Sequence, residues 1–298
     1  SFRCSCSSNF FRSKAAFFLD SFFTRWRISS LSWRKKSGEE ADFFAFSRFT
    51  DALQKLYTSR PDFVRPDSRF NEVKVFVERG IEDFSISRLS AKMPWGIPVP
   101  GDDEHVMYVW FDALVNYISA IGWPDDMERF ESWWPVVQFA GKDQIRQQSA
   151  MWQAMLMAAG INEPSKIILI HGFITHAGQK MSKSLGNVVD PLPMIEQYGV
   201  DAVRYYLARH INPYEDSDFT EERFIDAYNA NLANGLGNLV SRIMKMAEQN
   251  LPASVVVGDA VFDEVMKGEY REYMDNFEVQ KAADLIWRRI RELDEYIE

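Results

Sequence analysis

The sequence predicts an α/β domain built on a parallel, doubly wound sheet, followed by an all-α segment. Three observations predict it. Apolar strand-like runs alternate with helix-like runs between His105 and Phe173, in the order strand, helix, strand. Beyond Asp190 the apolar residues fall at helical spacing almost to the end of the chain. With 298 residues, 46% of them hydrophobic and 14% aromatic, the chain is long enough to bury two cores.

From the start of the regular pattern, residues 39–57, EEADFFAFSRFTDALQKLY, carry apolar side chains at helical spacing, and RPDFVRPDSR breaks that pattern with two prolines. HVMYVW at 105–110 reads as a buried strand, after which Asp112 is the candidate N-cap of a helix with Leu114, Tyr117, Ile118 and Ile121 on one face. VVQFAGKD at 136–143 is a second strand and turn, SAMWQAMLMAAG a helix closed by Gly160, and KIILIHGF a third strand. Pro191 suits a first helical turn, a helix is expected from about Asp201 to His210, and a longer one from a Thr220 cap. Val279, Ala283, Ile286, Ile290, Leu293 and Ile297 alternate in steps of four and three, which predicts the packed seam of a last helix.

The apolar runs IILI at 167–170 and VVV at 255–257 are far below the roughly 20 residues of a membrane span, so no membrane role is expected. Two cysteines, Cys4 and Cys6, exclude a disulfide framework and a four-cysteine zinc site, and a cytoplasmic, reducing compartment fits best. Net charge is −9, divided as +7 over residues 1–36 and −16 over the rest. The acidic total weakens non-specific phosphate binding, while a cluster such as Arg288, Arg289 and Arg291 can still bind it. Residues 1–36 differ from everything after them, with nine serines, seven phenylalanines and one acid. An organellar transit peptide, a frame-shifted translation and an unreadable native segment all remain open, and no function is assigned there.

KMSKS at 180–184, inside HGFITHAGQKMSKSLGN, sets two lysines among small hydroxyl residues just beyond a strand. Such a loop can fold over a polyphosphate, with lysine as a point charge and serines and backbone amides adding hydrogen bonds. It would help most where negative charge gathers on a departing pyrophosphate. Taken alone, the pentapeptide could equally be a solvated run of charge. The longer stretch resembles the signature loop of class I aminoacyl-tRNA synthetases. EEADFFAFSRFTDAL, FNEVKVFVERGIEDFSISR, YVWFDALVNYI, GKDQIRQQSAMWQAMLMAAGI, VDAVRYYLARHI and FIDAYNANLANGLGNLVSRI narrow the resemblance to the methionyl-tRNA synthetase family, over about residues 37–298.

That resemblance implies a Rossmann-like catalytic half and a helix-bundle anticodon-binding domain. Residues 37–85 would be the end of a connective insert and the return to the catalytic domain, and 86–185 the second Rossmann half. Residues 186–218 would be a stem-contact region, and 219–298 a truncated anticodon-binding domain. It places Trp110, Ala113, Leu114 and Tyr117 around a methionine side chain, whose sulfur aromatic walls hold well. The two aromatics could also be ordinary core residues. Arg88 and Asp143 would lie near the amino-acid head group, Asp143 suited to the ammonium and Arg88 to ordering carboxylates, and Trp152 would repack around methionine. Gln148 stands where many relatives have a substrate-facing histidine; it offers a hydrogen bond without titrating near neutral pH.

For ATP, the resemblance assigns His171 and Gly172 to the adenine side and Lys180, Met181, Ser182, Lys183 and Ser184 to the phosphates, with Lys180 and Lys183 catalytic. His171 could instead be a satisfied histidine at a strand end. Asn234, Asn238 and Arg242, four apart on one helix face, would read the CAU anticodon, plain helix packing being the alternative. Gly235 and Gly237 in that helix suggest close approach by another backbone. The implied partners are tRNA(Met), methionine and ATP, with Mg2+; monomer and homodimer stay open. A structural zinc belongs to the family, but its ligands are not in this sequence.

No HIGH-type tetrapeptide accompanies the four histidines, so the chain resembles an internal or C-terminal fragment, expected to give no pyrophosphate exchange alone. The expected function is ATP-dependent methionine activation and transfer to tRNA. The alternatives are a tRNA-binding module that has lost catalysis and a class I synthetase for another apolar amino acid.

Overall fold

The computed structural model describes residues 33–35, 41–99, 101–254 and 267–297. Cys4, Cys6, nearly all of the Ser- and Phe-rich segment and the VVV run at 255–257 lie outside the described residues. Among those described, no helix is long and apolar enough to cross a membrane. The chain divides into two compact units between Ile170 and His171.

The first unit runs through β1 (Trp33–Lys35), β2 (Asp42–Phe44), α1 (Thr50–Ser59), β3 (Val64–Arg65), α2 (Asp67–Glu78), β4 (Phe84–Ser85), β5 (Ser87–Leu89), β6 (Pro98–Val99) and β7 (Asp102–Met107). It continues through α3 (Val109–Ala113), α4 (Asn116–Ser119), α5 (Met127–Trp133), β8 (Val137–Gly141), α6 (Trp152–Ala158) and β9 (Ile167–His171). Residues 42–44 are a strand, not the start of the expected helix. Asp42, Phe43 and Phe44 are all buried, so the segment has no polar face for a helix to turn to water. It pairs instead with β4, Phe44 opposite Phe84, and the Asp42 N–H donates to Ser87 Oγ at 2.8 Å. The helix starts at Thr50, with Leu53, Leu56 and Tyr57 turned inward. Phe44 then stacks on Phe49 at 5.4 Å and meets Phe84 edge-on at 5.4 Å, a cluster that includes Phe111.

The nucleotide-binding type of sheet is present in part. β3, β9 and β8 lie in that order, with β3 parallel to β9 and Val64 opposite Ile168. Its central strand is buried through Ile167, Ile168, Leu169 and Ile170, as a sheet covered on both faces requires. The expected strand at 105–110 departs from this plan. It ends at Met107 and belongs to a separate antiparallel sheet ordered β5, β7, β6. Asp112 is not an N-cap either: α3 begins at Val109 behind Tyr108, which puts Asp112 inside the helix.

The second unit contains β10 (Ile174–His176), β11 (Gln179–Lys180), α7 (Pro191–Tyr198), α8 (Val200–His210), β12 (Ser217–Phe219), α9 (Glu221–Ala227), α10 (Asn238–Asn250), α11 (Glu269–Asp275) and α12 (Val279–Ile297). Asp190 caps α7, its Oδ1 accepting from the Leu192 N–H at 3.0 Å, and Thr220 Oγ1 caps α9. The region after Asp190 is not purely helical, because β12 joins β10 and β11 in a three-stranded sheet. Between α9 and α10 the backbone follows a wider π-type winding over Tyr228–Gly237. Met194, Ala202, Val203, Tyr206, Phe219 and Phe224 form this unit's own core.

The seam expected along α12 is displaced. Val279 and Leu293 are exposed, whereas Ala282 and Trp287 are buried. Trp287 sets the face: the Arg209 guanidinium lies over its ring at 4.8 Å and Tyr205 packs 5.8 Å away. A large ring with a cation on it outweighs a row of smaller aliphatics in choosing which side turns inward. The same ring explains Gly235. A Cβ there would lie 3.2 Å from a Trp287 ring carbon, so the close approach comes from a side chain rather than another helix's backbone.

Candidate active site

In the first unit, the structure brings Tyr117, Gln148 and Trp152 together. Gln148 Nε2 donates to Tyr117 Oη at 2.9 Å, and the Tyr117 and Trp152 rings lie 6.1 Å apart. Trp152 is wholly buried and Gln148 nearly so, yet Trp152 Nε1 and Gln148 Oε1 have no hydrogen-bond partner. Buried polar atoms are normally paired, so these two, on residues that both meet Tyr117, leave hydrogen-bonding capacity that a ligand could complete; Gln138 Nε2, Gln144 Oε1 and Ser149 Oγ are likewise unpaired. Because Tyr117 Oη already accepts from Gln148, its own proton is free to donate. That suits a thioether sulfur, a weak acceptor that also packs well on aromatic rings.

The rest of the expected amino-acid site is more varied. Trp110 and Ala113, on α3, are half-buried. Leu114 at its end is 2% exposed and belongs to the main core. Asp143 is exposed in the short turn that leaves β8, free to meet a cation in solvent. Arg88, expected to order carboxylates, is held by its own neighbours. Its guanidinium donates to the Ser85 hydroxyl and, at 2.7 Å, to the Ser87 carbonyl, and lies 4.4 Å over the Tyr108 ring. Asp112, read from the sequence only as a helix cap, sits between Phe111 and Ala113, and burial holds its carboxyl above the usual range.

The lysine loop lies in the second unit, and its geometry explains its composition. β10 and β11 form a hairpin, Thr175 opposite Lys180, turned at Ala177 and Gly178 with φ of 50° and 74°. Asp218 on β12 clamps that turn: its Oδ1 accepts from Thr175 Oγ1 at 2.9 Å and from the Gly178 N–H at 2.7 Å. The Gly178 N–H in particular holds the Asp218 carboxyl below its usual range. Beyond the hairpin, Asn187 closes the loop, accepting from the Ser182 N–H at 2.8 Å and donating to the Lys180 carbonyl at 3.2 Å. Ser182 and Ser184 hydroxyls are 2.7 Å apart. Met181 packs against the second core, so the methionine of KMSKS anchors the loop while Lys180 and Lys183 remain exposed. Lys180 Nζ lies 4.1 Å over the Phe173 ring.

His171 ends β9 with Nδ1 2.8 Å from the Gly172 carbonyl oxygen. Gly172 is needed where it is, since a Cβ would lie 2.2 Å from the Glu215 carbonyl oxygen. Asn234, Asn238 and Arg242 are all exposed, Asn234 in the wide winding and the other two on α10. Arg242 forms an ion pair with Asp294 on α12. The sequence reading missed Asn187 and Asp218. Asn187 could have been found from its place three residues after KMSKS; Asp218 is brought to the hairpin only by folding.

Residues 28–244 match the family described as tRNA synthetases class I (M). Over 222 residues the chain is 48% identical to a methionine–tRNA ligase of Mesorhizobium japonicum, covering 74% of this chain and 42% of that protein. Over 268 residues it is 43% identical to a methionine–tRNA ligase of Thermotoga maritima, covering 87% and 42%. The chain thus spans less than half the length of these two curated relatives. Among solved structures, Mycobacterium tuberculosis methionyl-tRNA synthetase in complex with methionyl-adenylate superposes with a TM-score of 0.82 at 33% identity, covering 95% of this chain and 64% of that one. A match over most of its length makes the chain a member of the class I tRNA synthetases of the (M) family.

Proposed function

We propose that this chain carries the methionine-binding and pyrophosphate-stabilising parts of a methionine–tRNA ligase. The supporting observation is the Tyr117–Gln148–Trp152 cluster, which holds an unpaired buried donor, Trp152 Nε1, and an unpaired buried acceptor, Gln148 Oε1, in an aromatic setting. Methionine's sulfur would take the Tyr117 proton and the ring contacts, and Asp143 would attract the ammonium. In activation, the methionine carboxylate attacks the α-phosphorus of ATP and pyrophosphate leaves. Charge then grows on the leaving group, which Lys180 and Lys183 would stabilise more in the transition state than before it. Transfer of the methionyl group to the terminal adenosine of tRNA(Met) would follow, with Asn234, Asn238 and Arg242 as the anticodon-reading face of a helical anticodon-binding domain.

Among the described residues, no group of three or more His, Cys, Asp or Glu side chains could hold a metal ion. Mg2+ would arrive on the ATP phosphates, its usual mode of binding, and no described residue is assigned to zinc. The test is calorimetric titration of the chain with methionine, leucine, isoleucine and valine, and separately with pyrophosphate. Methionine is expected to bind and the branched amino acids to bind at least tenfold more weakly, since a missing hydrogen bond and lost contacts amount to about 1–3 kcal/mol. Lys183→Ala is expected to weaken pyrophosphate binding and leave methionine binding unchanged. Failure to bind methionine would overturn the reading; tRNA binding without it would favour a module acting through its helices alone.

A further inference from the structure

Gln147–Met151 winds with a π-type turn, closed by the Trp152 N–H donating to the Gln147 carbonyl. One extra residue in a helical turn rotates everything after it by about 100°. The direction in which Trp152 points, relative to Gln148, therefore depends on this turn being kept. Two side chains from outside the turn bond its carbonyls. Gln153 Nε2 donates to the Gln148 carbonyl at 3.0 Å, and Tyr57 Oη, from α1, donates to the Ser149 carbonyl at 2.7 Å.

Gln153 is completely buried and its amide is fully engaged. Nε2 also donates to Ser165 Oγ at 3.1 Å, and Oε1 accepts from the Ser165 N–H at 3.1 Å. Ser165 Oγ in turn donates to Gln138 Oε1 on β8 at 3.0 Å. Gln138 and Ser165 are buried as well. A buried chain of amides and a hydroxyl thus links β8, the residues entering β9 and the carbonyl of Gln148. An apolar side chain of similar length would fill the same space without the desolvation cost of an amide. What the amide adds is direction, since a connected polar network fixes one arrangement where apolar packing allows several.

We propose that Gln153, with Tyr57 beside it, is a positioning residue for the amino-acid site: it locks the π turn and so aims the Gln148 side chain at Tyr117. The inference rests on the reading of this site as a methionine site. It is tested by a double-mutant cycle on methionine affinity, measured by calorimetry on the chain. Gln153→Met and Gln148→Ala should each weaken methionine binding by about tenfold, the scale of one lost hydrogen bond. Gln153→Met placed on Gln148→Ala should add almost nothing, because Gln153 acts through Gln148. Gln153→Glu gives an independent signature: its carboxylate cannot donate to the Gln148 carbonyl, whereas the protonated acid can. Methionine affinity of that variant should recover as pH falls, with no matching step in the unaltered chain.

Should Gln153→Met fail to fold, Tyr57→Phe in the native and Gln148→Ala backgrounds carries the same cycle. Amide hydrogen exchange at residues 148–152, recorded without methionine, should accelerate in the Gln153 or Tyr57 variant. Unchanged exchange, native affinity, or losses that multiply with that of Gln148→Ala would each overturn the proposal. No methionine binding by the unaltered chain, with accelerated exchange in the variants, would sink the methionine reading and leave the turn-locking half standing.

Discussion

Met181 and Asp112 show what single residues do here that their chemistry does not announce. Met181 lies in a loop of cations and hydroxyls, yet its side chain packs on the second core, fixing a loop whose lysines stay in solvent. Asp112 lies in a short helix with its carboxyl held above the usual range by burial. Between the unfolded value of 3.8 and the raised folded value, the native chain keeps a proton that the unfolded chain has released. Stability therefore falls as pH rises through that window, and the cost persists above it. Asp112→Asn is accordingly expected to melt higher than the unaltered chain at neutral pH, with the gain vanishing near pH 3.8 and below, as thermal unfolding followed by circular dichroism would show.

At the scale of elements, local periodicity located the helices better than it located their faces. α8 runs Val200–His210, close to the expected 201–210, and Asp190 and Thr220 cap their helices as their chemistry suggests. The last helix shows the other outcome, because the steps of four and three mark a face that Trp287 overrides. Trp287→Ala should destabilise the chain by about 3–5 kcal/mol, the usual cost of emptying a large aromatic site. Leu293→Ala, on the expected seam but exposed, should change stability by about 0.5 kcal/mol or less. Urea denaturation of both variants checks the contrast; equal losses would restore the original seam. The strand at 42–44 was misread as helix for a related reason. An unbroken Phe-Phe-Ala-Phe run satisfies a helical spacing as well as a strand buried on both faces, and only its partners decide between them.

For the whole molecule, two cores divide the chemistry. The aromatic cluster proposed to bind methionine is built on the first unit and the lysine loop on the second. The acidic balance beyond residue 36 keeps unspecific RNA attraction low, so tRNA binding would depend on a few placed cations. Arg242, held by Asp294, is the cation proposed for that role. Arg242→Ala is expected to weaken filter-retained tRNA(Met) by about 1–3 kcal/mol while leaving a tRNA with a different anticodon nearly unaffected. A uniform loss across tRNAs would show that the residue serves phosphate alone.

The sequence by itself determined the family and the lysine loop, because these are carried by runs of neighbouring residues whose chemistry is legible in order. It also determined the ends marked by Pro191, His210 and Thr220, since caps and prolines act within a turn or two of their own position. Folding decided what depends on distant partners: that strand 102–107 leaves the parallel sheet, that Asp218 clamps a hairpin some 40 residues away, and that Tyr57 and Gln153 hold the turn beneath Gln148. Hydrogen bonds and ring contacts between residues far apart in the chain have no period to read, so they become visible only when the backbone brings their atoms together.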